Sequence, residues 1–494
     1  MRHSRPAIAL TLSLTLAGCN VATDPFTAAE VEAYAFAAAD TATADQEPLD
    51  GPLSLYEAMA RALKYNVDHR VEMMNVSLGR ANARIARAAM LPDLVANAGY
   101  VGRSDDAASF SRGFPSGVRS TGATSSFRDG VAADLTFSWH VLDFGLSYVR
   151  ARQAADRALI ARERQRKIVQ RIIADTRTAY WRAVSAERLL AGFGRLQGRV
   201  ERALASTRAL TAAGATSPIA ALTYERELVA IKERIIALQR ELRTARLQLA
   251  SLVNIRPGTP YRLDVPPRRL PDLEFDAPRD DIVRLALRQR PELRELGYQD
   301  RINLAETRAA MLELLPGLTG YAGLNADSND LLVSSNWVSY GAKIGWNAMK
   351  VFKYPARKAG IEAKGALIEA QAKATAMAIM LQVEVARVRY GLARQAARAA
   401  AEHNGVQRKL LRRIEGSARS GVASEQTLVR EKMNALVAEA QYDIAYARLQ
   451  NAYAALFSSV GEAPYSRTIS PDMSVAELTT ILRETWRERG DTHG

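Results

Sequence analysis

The chain has 494 residues, 48% of them hydrophobic and 24% charged, a balance that folds and does not stay disordered. Its formal net charge of +14 allows an anionic partner without establishing one. A single cysteine, Cys19, excludes an internal disulfide framework and any cysteine-rich metal or iron–sulfur site. His3, His69, His140, His403 and His493 fall without ligand spacing, so no metal site, no cofactor and no enzyme are expected.

Arg2 and Arg5 head an apolar run from Ala7 to Leu16, too short to span a membrane comfortably and built like an export signal. The run closes on Leu16-Ala17-Gly18-Cys19, which resembles the lipobox of bacterial lipoproteins. The resemblance implies a signal peptide over 1–18 and an acylated N-terminal Cys19, held by about 0.8 kcal/mol per buried CH₂. Loss of Arg2 and Arg5 would take the charge from +14 to +12. Asn20 stands where lipoproteins retained in the inner membrane have Asp, which favours outer-membrane lipid. An ordinary signal with an incidental cysteine is the alternative. Residues 19–50 then read as a linker, rich in Ala, Thr and Asp and interrupted by Pro25 and Pro48.

The rest of the chain is a duplication. Ala62 to Asn66 aligns with Ala286 to Arg290, and Leu91-Pro92 with Leu315-Pro316, both at an offset of 224. Further on the offset is 207, pairing Trp139 with Trp346, Arg150 with Arg357, Gly214 with Gly421, and Ser251 with Ser458. The change falls in a Gly/Ser/Arg-rich loop, Ser104 to Gly130, that is longer in the first copy. The units divide as a first repeat over 51–260, a linker over 261–280, a second repeat over 281–461 and a tail over 462–494.

Each repeat opens with a helix predicted by i, i+3, i+4 spacing, Leu55 to Met90 and Asp281 to Leu314, stopped by Pro92 and Pro316. Two strands follow, then a long helix (Arg150 to Ala213, Ala356 to Ser420) and a returning one (Ser217 to Asn254, Ser424 to Val460). At ~1.5 Å per residue the long helices reach roughly 100 Å, and two short helices end to end match one of them. Gly214 and Gly421 mark the reversals, since glycine admits positive φ. Ser217 with Pro218, and Ser424, supply helix-start chemistry. Ser474 to Glu477 has capping-box form and starts a short helix ending near Arg489.

Val131, Ala133, Leu135, Phe137, Trp139 and Val141 alternate with Ala132, Asp134, Thr136, Ser138 and His140. Val338 to Asn347 alternates likewise; the partner strands, Leu94 to Gly102 and Leu318 to Asn325, do so less cleanly. Strands of about ten residues ending in Trp suit an outer membrane, though a half-buried soluble sheet alternates identically. Four strands cannot close a barrel, and open edges in lipid cost several kcal/mol per unsatisfied group, so spanning would require several copies to share one barrel.

This order resembles the TolC family of outer-membrane efflux and secretion channels, from about Leu53 to Gly461. Its local marks are Leu53 to Ala58, Leu285 to Leu293 and the strand-to-helix junction Trp139 to Gly145. The resemblance implies a mainly α fold with membrane β: a trimeric α/β barrel, four strands per protomer making a 12-stranded barrel above a long periplasmic α-helical barrel. It implies a passive duct of a tripartite efflux or type I secretion system. Its partners would be a periplasmic adaptor (membrane fusion) protein and an inner-membrane transporter, with no nucleic acid. Gly214, Ser217, Pro218, Gly421 and Ser424 would lie at the adaptor-docking helix tips.

Where some relatives carry an acidic ring after the second tip, this chain has Thr427 and Arg430. Three copies of Arg430 would make the pore entrance favour anions; pairing of Arg430 with Glu425, Glu431 or Glu227 is the alternative. Met349 to Pro355 lacks the Asp-x-Gly of the first junction. Gly192, Gly194 and Gly198 lack dinucleotide-loop spacing and read as letting helices approach. A lipid-tethered periplasmic scaffold that does not span the membrane is the second reading of the whole chain.

Overall fold

The computed structural model describes residues 24–491 apart from 45, 125, 141–142, 215–216, 257, 269–277, 464, 466–468 and 470–471. The signal sequence and Cys19 lie outside the described residues. The expected linker holds a helix, α1 (Ala28–Ala42), that buries none of its residues. Alanine propensity and a capping box between Thr27 and Glu30 favour it, and Asn254 donates to the Ala42 carbonyl at its end.

The first repeat then runs α2 (Leu55–Tyr65), α3 (Val67–Ala88), β1 (Asp93–Gly102), a small hairpin of β2 (Ala108–Ser109) and β3 (Ala123–Thr124), and β4 (Asp129–His140). It continues with α4 (Asp143–Ala212), α5 (Pro218–Arg243) and α6 (Ala245–Leu252). The second runs α7 (Arg279–Gln289), α8 (Pro291–Leu312), β5 (Gly317–Asp327), β6 (Asn336–Gly345), α9 (Met349–Arg419) and α10 (Glu425–Val460). Helix α11 (Val475–Asp491) closes the chain, begun by the Ser474/Glu477 capping box.

Each opening helix, expected in one piece, is broken once, at equivalent residues. Asn66 (φ −62°, ψ 125°) and Arg290 (φ −63°, ψ 127°) are both extended. The Asn66 side chain accepts from the N–H groups of Asp68 (3.1 Å) and His69 (3.3 Å), capping α3. At the second break Pro291 disfavours the α conformation for the residue before it. Apolar spacing runs through both breaks, so periodicity alone does not reveal them. The returning helix of the first repeat is interrupted at Thr244, whose backbone stays in the α region (φ −80°, ψ −16°).

Helices α4 and α9 begin seven residues earlier than expected and have 70 and 71 residues. Pro355 does not precede α9 but sits in its second turn, where one missing N–H near an end is tolerated. Helix α4 is the spine, packing against α3 and α8 towards the sheet and against α5, α6 and α10 along the rest. Leu189, Phe193, Leu196, Val200 and Leu204, at coiled-coil spacing on α4, meet Leu228 and Ile235 of α5 and Val429 and Met433 of α10.

A thicker core sits midway. There Met59 and Leu63 of α2, Tyr453 and Phe457 of α10, and Leu478 and Trp486 of α11 pack together. The Arg177 guanidinium lies 4.2 Å over the Trp486 ring. A parallel bridge from Leu53 to Leu263 ties the linker between repeats to the start of the first.

Candidate functional site

The four long strands form one antiparallel sheet in the order β1-β4-β5-β6, so each repeat contributes a hairpin and β4 pairs with β5 across the duplication. The register decides what each face carries. Leu135 stands opposite Ala96 on one side and Leu324 on the other, and Leu324 opposite Val338. Counting by twos from that row gives a face of Leu94, Tyr100, Val131, Phe137, Ala322, Tyr340 and Ile344, with small residues between. The opposite face carries Asn97, Asp134, Thr136, Ser138, Asn325, Ser339 and Lys343. Asn97 donates to Asp134 (3.2 Å) and Asn325 to Ser339 (2.9 Å).

The apolar face is uncovered: Leu94 is 65% exposed, Val338 62%, Tyr340 83% and Ile344 71%. A soluble half-buried sheet would set a helix or a second sheet against such a face; among the described residues it meets none. Strands of 10 to 12 residues suit a tilted span of an apolar band roughly 25 Å tall. On the apolar face aromatic residues sit at both ends, Trp139 and Trp346 beside the helices and Tyr100 beside the loops, while Trp337 belongs to the opposite face with Asn325. Among the described residues no helix is long and apolar enough to cross a membrane.

β1 and β6 are unpaired edges, and each continues into a helix with an exposed apolar stripe. On α3, which leads into β1, the stripe is Val67, Val71, Met74, Leu78 and Ile85; on α9, which leaves β6, it is Leu367, Met377, Leu381, Val388 and Leu392. The sequence reading missed these stripes, although their spacings of three, four, seven and ten residues all fall on one helix face.

At the far end of the helices the tips turn through glycine. Gly214 has φ 67° and Gly421 has φ 75°. The Gly421 N–H donates to Ala418 O (3.2 Å), and Val422 and Ala423 both donate to Ser417 O. The Ser424 hydroxyl accepts from the Thr427 N–H (3.2 Å), with the two hydroxyls 3.0 Å apart. Ser217 departs from expectation: its side chain makes no cap bond, and Pro218 at the first helical position sets the turn instead. Ile219 (79% exposed), Leu222 and Val422 leave the tips apolar, a feature absent from the sequence reading.

Arg430 is half exposed, its nearest carboxylates being Glu227 at 3.6 Å and Glu431 at 3.9 Å. Glu425, the third partner considered, is engaged by Arg199 at 3.1 Å. Among the described residues no group of three or more His, Cys, Asp or Glu side chains could hold a metal ion.

The chain has the duplicated helix–strand–strand–helix fold seen in solved outer-membrane channels. Residues 59–254, close to the whole first repeat, match the sequence model of the family described as outer membrane efflux protein. The chain superposes on a membrane protein from Pseudomonas aeruginosa with a TM-score of 0.65 at 19% identity, covering 85% of this chain and 92% of that one. It superposes on the outer-membrane channel OprN at 0.63 and 19% identity, covering 82% and 89%. With the Campylobacter jejuni CmeC outer membrane channel the values are 0.63 and 14%, over 88% and 90%. At such identities the likeness is one of fold, and it extends over both repeats. No curated protein sequence matches.

Proposed function

We propose that the chain is the outer-membrane channel of an efflux or secretion assembly, three copies sharing one twelve-stranded barrel. The observation that carries this is the sheet: four strands with one continuous exposed apolar face and two unpaired edges. Such a sheet is stable in lipid only when the edges of neighbouring copies pair. The stripes on α3 and α9 continue the same seam below the membrane, where helices of adjacent copies would pack. The polar face of the sheet then lines the pore.

In this reading Cys19 carries the lipid anchor in the outer membrane. The hairpin tips at Gly214, Ser217, Pro218, Gly421 and Ser424 receive a periplasmic adaptor protein on their exposed apolar side chains, and Thr427 and Arg430 stand at the entrance. An inner-membrane transporter supplies the energy, and the duct itself performs no chemistry. The test is the native mass of the protein made as Cys19→Ala behind an ordinary cleavable signal and purified in mild detergent. A mass of three protomers is expected. A monomer that stays soluble without detergent would overturn the shared barrel and leave a lipid-tethered scaffold.

A further inference from the structure

Between α4, α9 and α10, about 18–33 Å above the first hairpin tip by helix rise, lies an open cleft of roughly 700 Å³. It is of the size that takes a small organic molecule. Its wall on α4 is thinned by Gly192, Gly194 and Gly198. A side chain at Gly192 would strike Leu436, 2.9 Å from the position of its Cβ, so there the helices touch. At Gly194 nothing lies within 4 Å, and at Gly198 only the Arg202 guanidinium does, at 3.7 Å. Each helical glycine costs about 1 kcal/mol relative to alanine, and three within seven residues run against the helix they stand in. A local rule broken in this way points to a use for the space it leaves.

The charge of the cleft is one-sided. Five cations line it against a single carboxylate, Glu439, which is itself paired with Arg268 at 3.3 Å. Arg199 and Lys432 are engaged at the rim by Glu425 (3.1 Å) and Glu415 (3.2 Å). Arg195, Arg202 and Arg408 have no carboxylate within 4.0 Å among the described residues. Guanidinium groups favour planar, multidentate oxyanions, and Leu411 and Leu436 offer apolar surface beside them.

We propose that this cleft is a binding site for an amphiphilic organic anion: a carboxylate, sulfonate or phosphate ester held by Arg195, Arg202 and Arg408, its apolar body against the leucines. The site is distinct from the entrance at Arg430, and binding there does not depend on the channel reading.

The experiment is isothermal titration of the full chain in lipid nanodiscs with naphthalene-2-sulfonate, beside uncharged 2-naphthol and protein-free nanodiscs. Saturable binding of the sulfonate is expected, with none of the naphthol. Kd should rise at least tenfold in the Arg202→Gln/Arg408→Gln double variant and also in Gly194→Leu, which keeps every charge but fills the cleft. Arg284→Gln, on α7, serves as the remote control and should bind as the parent does. Should the double variant unfold, as helical circular dichroism would show, Gly194→Leu carries the test. Absence of saturable binding, equal binding of naphthol, or an unchanged Kd in the folded cleft variants would overturn the proposal.

Discussion

Arg150 and Arg357, equivalent residues of the two repeats, close on the same two carboxylates. Arg150 reaches Glu306 and, at 3.0 Å, Glu313; Arg357 reaches Glu306 at 2.9 Å and also Glu313. Both carboxylates come from the second repeat alone, Glu306 on α8 and Glu313 at its C-cap. At the 224-residue offset their first-repeat counterparts are Asn82 and Ala89, so the clamp has no twin. It joins the starts of α4 and α9 to the end of α8, at the level where helices give way to strands. The two hairpins of the sheet are thereby held in one register by charge as well as by the β4–β5 ladder.

That clamp sets a pH dependence. Burial raises the Glu306 carboxyl, but hydrogen bonds from Arg150, Gln153 and Arg357 outweigh it and bring it from 4.5 to about 2. Glu313 is lowered too, chiefly by its hydrogen bond from Arg357. A carboxylate depressed in the folded state contributes stability that is present above its unfolded value and lost as pH falls through the folded one. Unfolding followed by circular dichroism should therefore lose midpoint between pH 4.5 and about 2. Glu306→Gln should lower the midpoint at pH 7, corresponding to about 1–2 kcal/mol, and flatten the acid slope. An unaltered slope would mean that other carboxylates set the acid limit.

The two faces of the sheet make opposite demands on a charge. Leu135 and Leu324 lie side by side on the apolar face, mid-strand. Arginine at either, if that face meets lipid near the midplane, should cost about 2–4 kcal/mol and deplete the assembled form on semi-native electrophoresis of membranes. Ser138→Arg, on the polar face, should assemble normally and narrow the conductance instead. Equal tolerance of both substitutions would remove the lipid-facing assignment.

The tip glycines predict a local effect. A Cβ at Gly214 or Gly421 would meet nothing within 4 Å, so only the positive φ opposes substitution. Gly421→Val should destabilise the turn by about 1–2 kcal/mol, with Gly421→Asn milder because asparagine visits that region more readily. Hydrogen exchange of the amides around 415–430 should speed up in the valine variant while those of the mid-chain core stay slow. Global unfolding in its place would show that the tips matter to the whole fold.

What could be read from the sequence followed the physics of each signal. Period-2 alternation from Val131 to Val141 and from Val338 to Asn347 found β4 and β6 to within two residues at each end, because each residue there serves one of two unlike faces. β1 was harder: its polar face carries Val95 and Val101, and only pairing with β4 shows that Leu94, Ala96, Ala98 and Tyr100 share the other side. The breaks at Asn66 and Arg290 lay hidden because apolar spacing continues across an extended residue. Pro291 was the local signal for the second, and the capping carboxamide of Asn66 for the first. The cleft over Gly194 could not be foreseen, since its arginines come from helices some two hundred residues apart.

Arg430 brings the entrance to a decision between two roles. Its contacts with Glu227 at 3.6 Å and Glu431 at 3.9 Å exceed hydrogen-bond length, and exposed pairs of this kind are worth roughly 0–1 kcal/mol. They leave most of its positive charge unspent. If three copies ring a narrow mouth, their fields add where water is scarce, and anions are favoured there. Arg430→Asp exchanges a positive for a negative charge at each position, six units over three copies. In planar bilayers under a KCl gradient the variant's reversal potential should therefore move towards the potassium equilibrium value, with the permeability ratio changing by about twofold or more. Thr427→Asp, one turn nearer the tip, should act in the same direction. A reversal potential indifferent to both substitutions would make Arg430 a surface partner of Glu227 and place ion selection elsewhere along the duct.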